Sequence, residues 1–223
     1  RFKMKLYNAG KFAMMHLNDF DNLKPNNLLP VDKWIIEKAK STTKIAKSYL
    51  DYYELGLARQ AIDEFFWKDY CDNYLELVKD RLYKPEIYGK ENRSSAQYTL
   101  YNVFLGILKL YAIYTPHITE YIYQSYYKKY EPFISIHLMN WDNTEEIDNG
   151  LLEFGEIIKE ILVNVRRYKS ERKLSLKEEL NNLTISTNSS LEELLTTAPD
   201  IVSCTNTKGL KILHGNGFRV EIS

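Results

Sequence analysis

Cysteine, histidine, glycine and proline are scarce in this chain, and each shortage removes a class of protein. The two cysteines, Cys71 and Cys204, stand far apart with no Cys-x-x-Cys spacing, which excludes a disulfide framework and a zinc knuckle and leaves them as buried thiols. The four histidines, His16, His117, His137 and His214, are isolated and show no metal-ligand spacing, so no metal site is expected. With nine glycines there is no glycine-rich phosphate loop and no Gly-x-Ser-x-Gly elbow, and no cysteine is paired with a histidine. No catalytic residue is therefore assigned. The carboxylates Glu54, Asp63, Glu64, Asp69 and Asp72 read as a solvated helix face.

Long apolar runs are also missing. Nothing approaches the roughly 18 consecutive apolar residues of a membrane span, and the first residues lack the basic, apolar and small-residue zones of a secretory signal. A soluble, cytoplasmic protein without membrane contact is expected. Charge of one sign is lacking too, since 30 Lys and Arg balance 30 Asp and Glu, which weighs against a nucleic-acid binder. The balance is uneven along the chain, however. Residues 1–50 hold ten basic against four acidic side chains, residues 166–178 hold six against two, and residues 141–160 hold one against seven. An RNA-facing surface is possible if folding joins the two basic stretches.

What remains is a 223-residue chain with 44% hydrophobic content, enough for a proper core. It begins Arg1-Phe-Lys without an initiator methionine and is already helical in pattern, through Phe2, Leu6, Ala9, Ala13 and Leu17. An excised piece with an upstream partner is the expectation. Pro30 and Asp32 mark a second helix, Asp32 serving the free amides of its first turn, with Trp34, Ile35, Ala39, Ile45, Ala46 and Tyr49 facing inward. A helical pattern continues from Tyr53 to Leu82, as two helices with a bend. Tyr83 to Ser95 reads as a polar connector, with Ser94 or Ser95 capping the next helix. That helix carries Leu100, Val103, Phe104, Ile107, Leu108 and Tyr111 on its buried face, and Thr115-Pro116 breaks it before Ile118 to Tyr127.

Beyond Tyr130 the pattern changes. Pro132 to Asn149 is an extended acidic connector, and Leu151 to about Lys173 is a long helix. Leu183 to Thr187 reads as a strand, Ser190 to Thr197 as a short helix ended by Pro199, and Leu210–Leu213 and Phe218–Ile222 as two strands joined by the hairpin signal His214-Gly-Asn-Gly217. The fold class is mainly α: a helix bundle over residues 1–130, a connector and long helix packing on it over 131–180, and a small α/β appendage over 181–223.

Five segments, read in order, resemble the anticodon-binding domain of the class I aminoacyl-tRNA synthetases for branched aliphatic amino acids. They are Lys5-Leu-Tyr-Asn-Ala-Gly-Lys-Phe12, Val31-Asp-Lys-Trp-Ile-Ile36, Phe66-Trp-Lys-Asp-Tyr-Cys-Asp-Asn-Tyr-Leu-Glu-Leu-Val-Lys79, Thr115-Pro-His-Ile-Thr-Glu120 and Ser135-Ile-His-Leu-Met-Asn-Trp141. Within that group Trp67 to Lys79 is similar to the Trp-x-x-Phe-Cys-Asp-x-Tyr-Leu-Glu pattern of valyl enzymes, with Tyr70 in place of the usual Phe. Isoleucyl enzymes usually lack the Cys-Asp pair, although Lys79-Asp-Arg-Leu-Tyr83 suits them. Val165-Arg-Arg-Tyr-Lys-Ser-Glu171 resembles the late helix of valyl enzymes, and residues 181–223 match loosely. The carboxy-terminal coiled-coil arm of many valyl enzymes has no counterpart in these residues, as expected either of a truncated chain or of a branch without one.

The resemblance implies a helix bundle of the class I synthetase anticodon-binding type, acting in a valyl enzyme that charges tRNA using ATP and magnesium. The His-Ile-Gly-His and Lys-Met-Ser-Lys-Ser signatures and the editing domain are absent from these residues, so no cofactor and no adenylate chemistry are expected in this stretch. The expected partners are valine tRNA isoacceptors and the other domains of the same synthetase, in a monomeric enzyme. Asn8 and Lys11, one near-turn apart, can offer an amide and an ammonium from one side of the first helix. Lys11 also matches a family position whose basic residue is associated with the anticodon. Arg1 and Lys5 add phosphate contacts. The run Arg166, Arg167, Lys169, Arg172 and Lys173, beside Tyr168, is expected on the tRNA backbone, with Arg166, Arg167 and Lys169 the contacts assigned. Phe12, Trp67 and Tyr74 read as core, and Asp72 as an anchor to a neighbouring helix or a solvated carboxylate. Two other readings stay open: an isoleucyl domain, and a helical module that binds another protein through an apolar groove.

Overall fold

The computed structural model describes residues 2–141 and 146–223. Arg1 and part of the acidic connector, residues 142–145, lie outside the described residues. The first helix, α1 (Phe2–His16), buries Leu6, Ala9 and Ala13. Helix α2 (Pro30–Leu50) starts at a proline whose fixed φ suits a first turn. Its core stripe includes Val31, Trp34, Ile35 and Ala46, whereas Ile45, read as inward-facing, is exposed.

Residues 55–83 form one continuous rod: α3 (Leu55–Glu64), a π-helical stretch (Phe65–Tyr74) and α4 (Leu75–Tyr83). The rod buries Ile62, Phe66, Tyr70, Tyr74, Val78 and Leu82 on a strict four-residue interval. At 3.6 residues per turn such a stripe drifts by about 40° each step around an α-helix. The wider i→i+5 turns of the π stretch offset that drift and hold the stripe on the core. Asn73 Nδ2 donates to Lys68 O at 2.8 Å and closes one of these turns.

Helix α5 (Pro85–Tyr88) and the start of α6 (Lys90–Tyr111) occupy the stretch read as a connector. Ser95 consequently sits inside α6 and does not cap it. Its hydroxyl accepts from Leu29 N (3.0 Å) and donates to Asp32 Oδ2 (2.5 Å). Asp32 likewise does not serve the α2 amides. Fully buried, it accepts from Tyr74 Oη (2.8 Å) and from both terminal nitrogens of Arg81 (2.8 and 3.1 Å). A buried carboxylate needs a charged partner more than exposed amides need a cap. Helix α6 is buried around most of its circumference, and α7 (Pro116–Ile122) continues into a short π turn (Tyr123–Tyr127).

Helix α8 (Asn149–Glu171) is capped by Asp148, which accepts from Leu151 N at 3.1 Å. It crosses α2 where Gly155 meets Trp34: a Cβ on Gly155 would lie 1.8 Å from the indole nitrogen, so only glycine allows this approach. The appendage contains β1 (Leu180–Thr187), α9 (Leu191–Thr205), β2 (Thr207–His214) and β3 (Arg219–Ile222). The strand order is β2-β1-β3, with β1 parallel to β2 (Leu183 opposite Leu210) and antiparallel to β3 (Leu183 opposite Ile222).

Two local expectations therefore fail. Residues 214–217 make no hairpin, because β1 lies between the two strands they join. Gly215 N donates to Thr187 O (2.9 Å), so the connection crosses the end of β1. Helix α9 also runs on through Pro199, which is exposed. The proline faces water, and the buried side chains Leu194, Asp200 and Ile201 hold both halves of the helix on the core.

Candidate nucleic-acid interface

Helix α1 and the π stretch face one another across a shallow hollow of about 540 Å³ lined by Lys5, Asn8, Phe12, Trp67, Cys71 and Leu75, among others. Helical spacing puts Lys5, Asn8 and Lys11 along the outer side of α1, where Asn8 and Lys11 are exposed and Lys5 is half-buried. The π stretch turns its buried stripe inward, and its outer side presents Trp67, Cys71 and Asp72. Lys5 Nζ lies 3.8 Å from the centroid of the Trp67 ring and 3.2 Å from Asp72 Oδ1. Phe12 is half-buried, with its ring 4.8 Å from that of His16.

Chemically the hollow offers aromatic surface, the Asn8 amide and the Lys5 ammonium, with Lys11 exposed further along the same side of α1. Those are the groups with which proteins stack unpaired bases, read their edges and hold the adjoining phosphate. The Lys5–Asp72 pair is partly exposed and therefore weak, so a phosphate can take over the ammonium at small cost. Cys71 supplies apolar contact and no nucleophile: burial pushes its thiol up to about 12, against a smaller lowering by Lys5. Cys204 is pushed up to about 11, again mainly by burial.

The second basic stretch reaches the same segment from the other side. Arg166 Nη2 donates to Asp72 O (2.6 Å), and Arg166 Nη1 donates to Asn73 Oδ1 (3.0 Å). Folding thus brings the two basic stretches together, with Asp72 between them. Arg167 is exposed, and Arg172 stacks on Tyr168 at 3.8 Å.

Lys169 leaves the set of RNA-facing residues. It is buried, and its ammonium donates to Leu176 O (2.9 Å), Glu178 O (2.6 Å) and Thr205 O (2.9 Å). All three protons are used inside the protein, where they tie α8 to the loop before β1 and to the end of α9. Arg1 is not among the described residues. Trp67, read as core, is half-buried at the hollow, while Tyr74 is fully buried. The sequence signal for Trp67 was its place beside, and not on, the four-residue buried stripe.

Among the described residues no group of three His, Cys, Asp or Glu is placed to hold a metal ion, and no helix is long and apolar enough to cross a membrane. No glycine-rich loop is present to cradle a nucleotide phosphate.

Comparison with known proteins bears on this surface. A family model described as the anticodon-binding domain of tRNA ligase matches residues 32–185. That span contains the π stretch and α8 and leaves α1 outside. The valine-tRNA ligase of Thermococcus kodakarensis is 34% identical over 218 residues, which is 96% of this chain. That of Pyrococcus furiosus is 32% identical over 96% of the chain, and that of Rickettsia conorii is 36% identical over 83%. In each case the chain spans 24% of the relative's length.

Proposed function

The chain belongs to the family of anticodon-binding domains of tRNA ligases, and from that premise we propose that it reads the anticodon of valine tRNAs as part of a larger valine-tRNA ligase. The observation that carries this reading is the hollow between α1 and the π stretch, where Lys5, Asn8, Phe12 and Trp67 converge. An unstacked anticodon base lies against the Trp67 and Phe12 rings, the Asn8 amide meets a base edge, and Lys5 and Lys11 hold the flanking phosphates. Arg167 extends the cationic edge along the RNA backbone. An amide suits this task because it both donates and accepts.

Valine anticodons end in A then C, and isoleucine anticodons in A then U. Cytosine presents an amino donor where uracil presents a carbonyl acceptor, so one fixed amide orientation separates the two. The names of the relatives favour valine, as does the Cys71-Asp72 pair, which isoleucyl sequences usually lack. In this reading valine activation, with its ATP and magnesium, takes place in other polypeptide of the same monomeric, cytoplasmic enzyme, and this chain supplies recognition.

The test is a titration of the chain with anticodon stem-loops of valine tRNA, isoleucine tRNA and a valine stem-loop with its last anticodon base changed, at two salt concentrations. The valine stem-loop should bind most tightly. Equal affinity for all three would remove base reading, and preference for the isoleucine stem-loop would move the assignment to that enzyme.

A further inference from the structure

Wide π turns lose packing along the helix axis and persist where other contacts hold them. Here they come from α2, where Asp32 accepts from Tyr74 Oη and Lys38 Nζ lies 3.9 Å from Asp69 Oδ2, and from α8. Lys159 Nζ donates to Asp69 Oδ1 at 2.8 Å, and Asp69 is buried. Seven residues further along α8, two turns away, Arg166 takes Asp72 O and Asn73 Oδ1 in its fork. Asn73 closes the π turn onto Lys68 O with its amide nitrogen while its oxygen accepts from Arg166. Helix α8 thus grips one side of the segment whose other side presents Trp67 to the hollow, with Cys71 and Asp72 between the two.

We propose that Arg166 is a positioning residue: by holding Asp72 and Asn73 it fixes the π stretch in the register that sets Trp67 opposite Lys5 and Asn8, and so governs base discrimination and not phosphate attraction. The proposal rests on the reading of the hollow as an anticodon site. Both terminal nitrogens of Arg166 are already engaged, and its guanidinium fork matches two acceptors that a lysine ammonium cannot span in the same way. A phosphate contact predicts different behaviour. Its loss lowers the salt dependence of binding by about 0.7 for single-stranded RNA, affects all sequences alike, and is largely restored by lysine.

The experiment has two arms. In the first, without RNA, the chain is labelled with 5-fluorotryptophan, and the Trp67 resonance is identified with Trp67→Phe. Arg166→Ala, Arg166→Lys and Asn73→Ala should each move the Trp67 resonance, leave that of buried Trp34 in place, and speed amide exchange over residues 68–74. Arg166→Ala combined with Asn73→Ala should add little to either single change, because the two residues act as one contact.

In the second arm the same variants are titrated with the valine stem-loop and with the stem-loop altered at its last anticodon base. The ratio of the two affinities should fall about tenfold, the scale of one charged hydrogen bond, with the salt slope unchanged and no rescue by lysine. The proposal is overturned if Trp67 and the exchange rates do not respond. It is equally overturned if Arg166→Ala lowers the slope for both RNAs and lysine restores it. A wild-type chain that does not distinguish the two RNAs refutes the anticodon reading instead, and the first arm still decides whether Arg166 positions the π stretch.

Discussion

Replacing Asp200 by asparagine should flatten the pH dependence of stability. Asp200 Oδ1 lies 3.0 Å from Arg81 Nε, and the two terminal nitrogens of the same guanidinium hold Asp32. One buried cation therefore serves two buried carboxylates, on α2 and α9. Tyr74 and Ser95 direct their protons to Asp32, which leaves Asp200 the less satisfied of the pair. Burial pushes Asp200 up to about 7, against an opposing pull from Arg81 and with a further rise from Asp32.

A carboxyl whose value is raised by folding binds its proton more tightly in the native than in the unfolded chain. Its contribution is therefore present at low pH and is lost as pH rises from about 4 to about 7. A span of about three pH units corresponds to roughly 4 kcal/mol, or on the order of 10 °C in Tm for a chain of this length. The asparagine amide cannot ionise, and Asp32 still neutralises Arg81. Urea unfolding at pH 5, 6, 7 and 8, followed by circular dichroism, should show Asp200→Asn gaining on the wild type as pH rises. Taking the difference between the two proteins cancels all other titrating groups. Parallel profiles would refute the reasoning.

Lys169→Met should destabilise the chain by about 3 kcal/mol, because three carbonyls lose their donor at once; thermal melts of this variant and of exposed Lys177→Met separate the buried effect from a surface one. Gly155→Ala drives a methyl into the Trp34 indole and should cost at least the roughly 1–3 kcal/mol of core overpacking, read as an early unfolding midpoint in urea. Lys11→Ala should leave stability unchanged and lower the salt slope for stem-loop binding by about 0.7. Trp67→Leu should weaken the same RNA by about 1–3 kcal/mol, the worth of a stacked base, with the salt slope preserved.

Most of the long helices were legible in the chain because the signals that start and face them are local, whereas α5 and the first turn of α6 were hidden in a stretch that reads as a polar connector. Pro30 and Pro116 open α2 and α7, and Leu100 to Tyr111 shows its buried face through spacing alone. The adjacency of Asn8 and Lys11 on α1 follows from one helical turn. The change to an α/β appendage was visible in the residue pattern, as was the presence of its strands. Local reasoning failed where a residue's partner lies far along the chain. A hairpin signal at residues 214–217 carries no information about β1, which separates the strands. Pro199 reads as a terminator until burial of its neighbours holds α9 through it.

The candidate site divides in the same way. Sequence alone determined that α1 carries an amide and ammonium groups on one side and that a second basic stretch follows much later. Tertiary structure decided which of those cations are free. Lys169 is consumed by three carbonyls, Arg166 is held by the π stretch, and Trp67 emerges at the hollow. Asp32 looked like a helix-start residue, and only packing revealed its partner 49 residues away in Arg81. The physical reason is one of range. Dihedral preference and periodicity act within a few turns and can be read along the chain, whereas desolvation makes each buried charge seek whichever opposite group the closed core brings within about 3 Å.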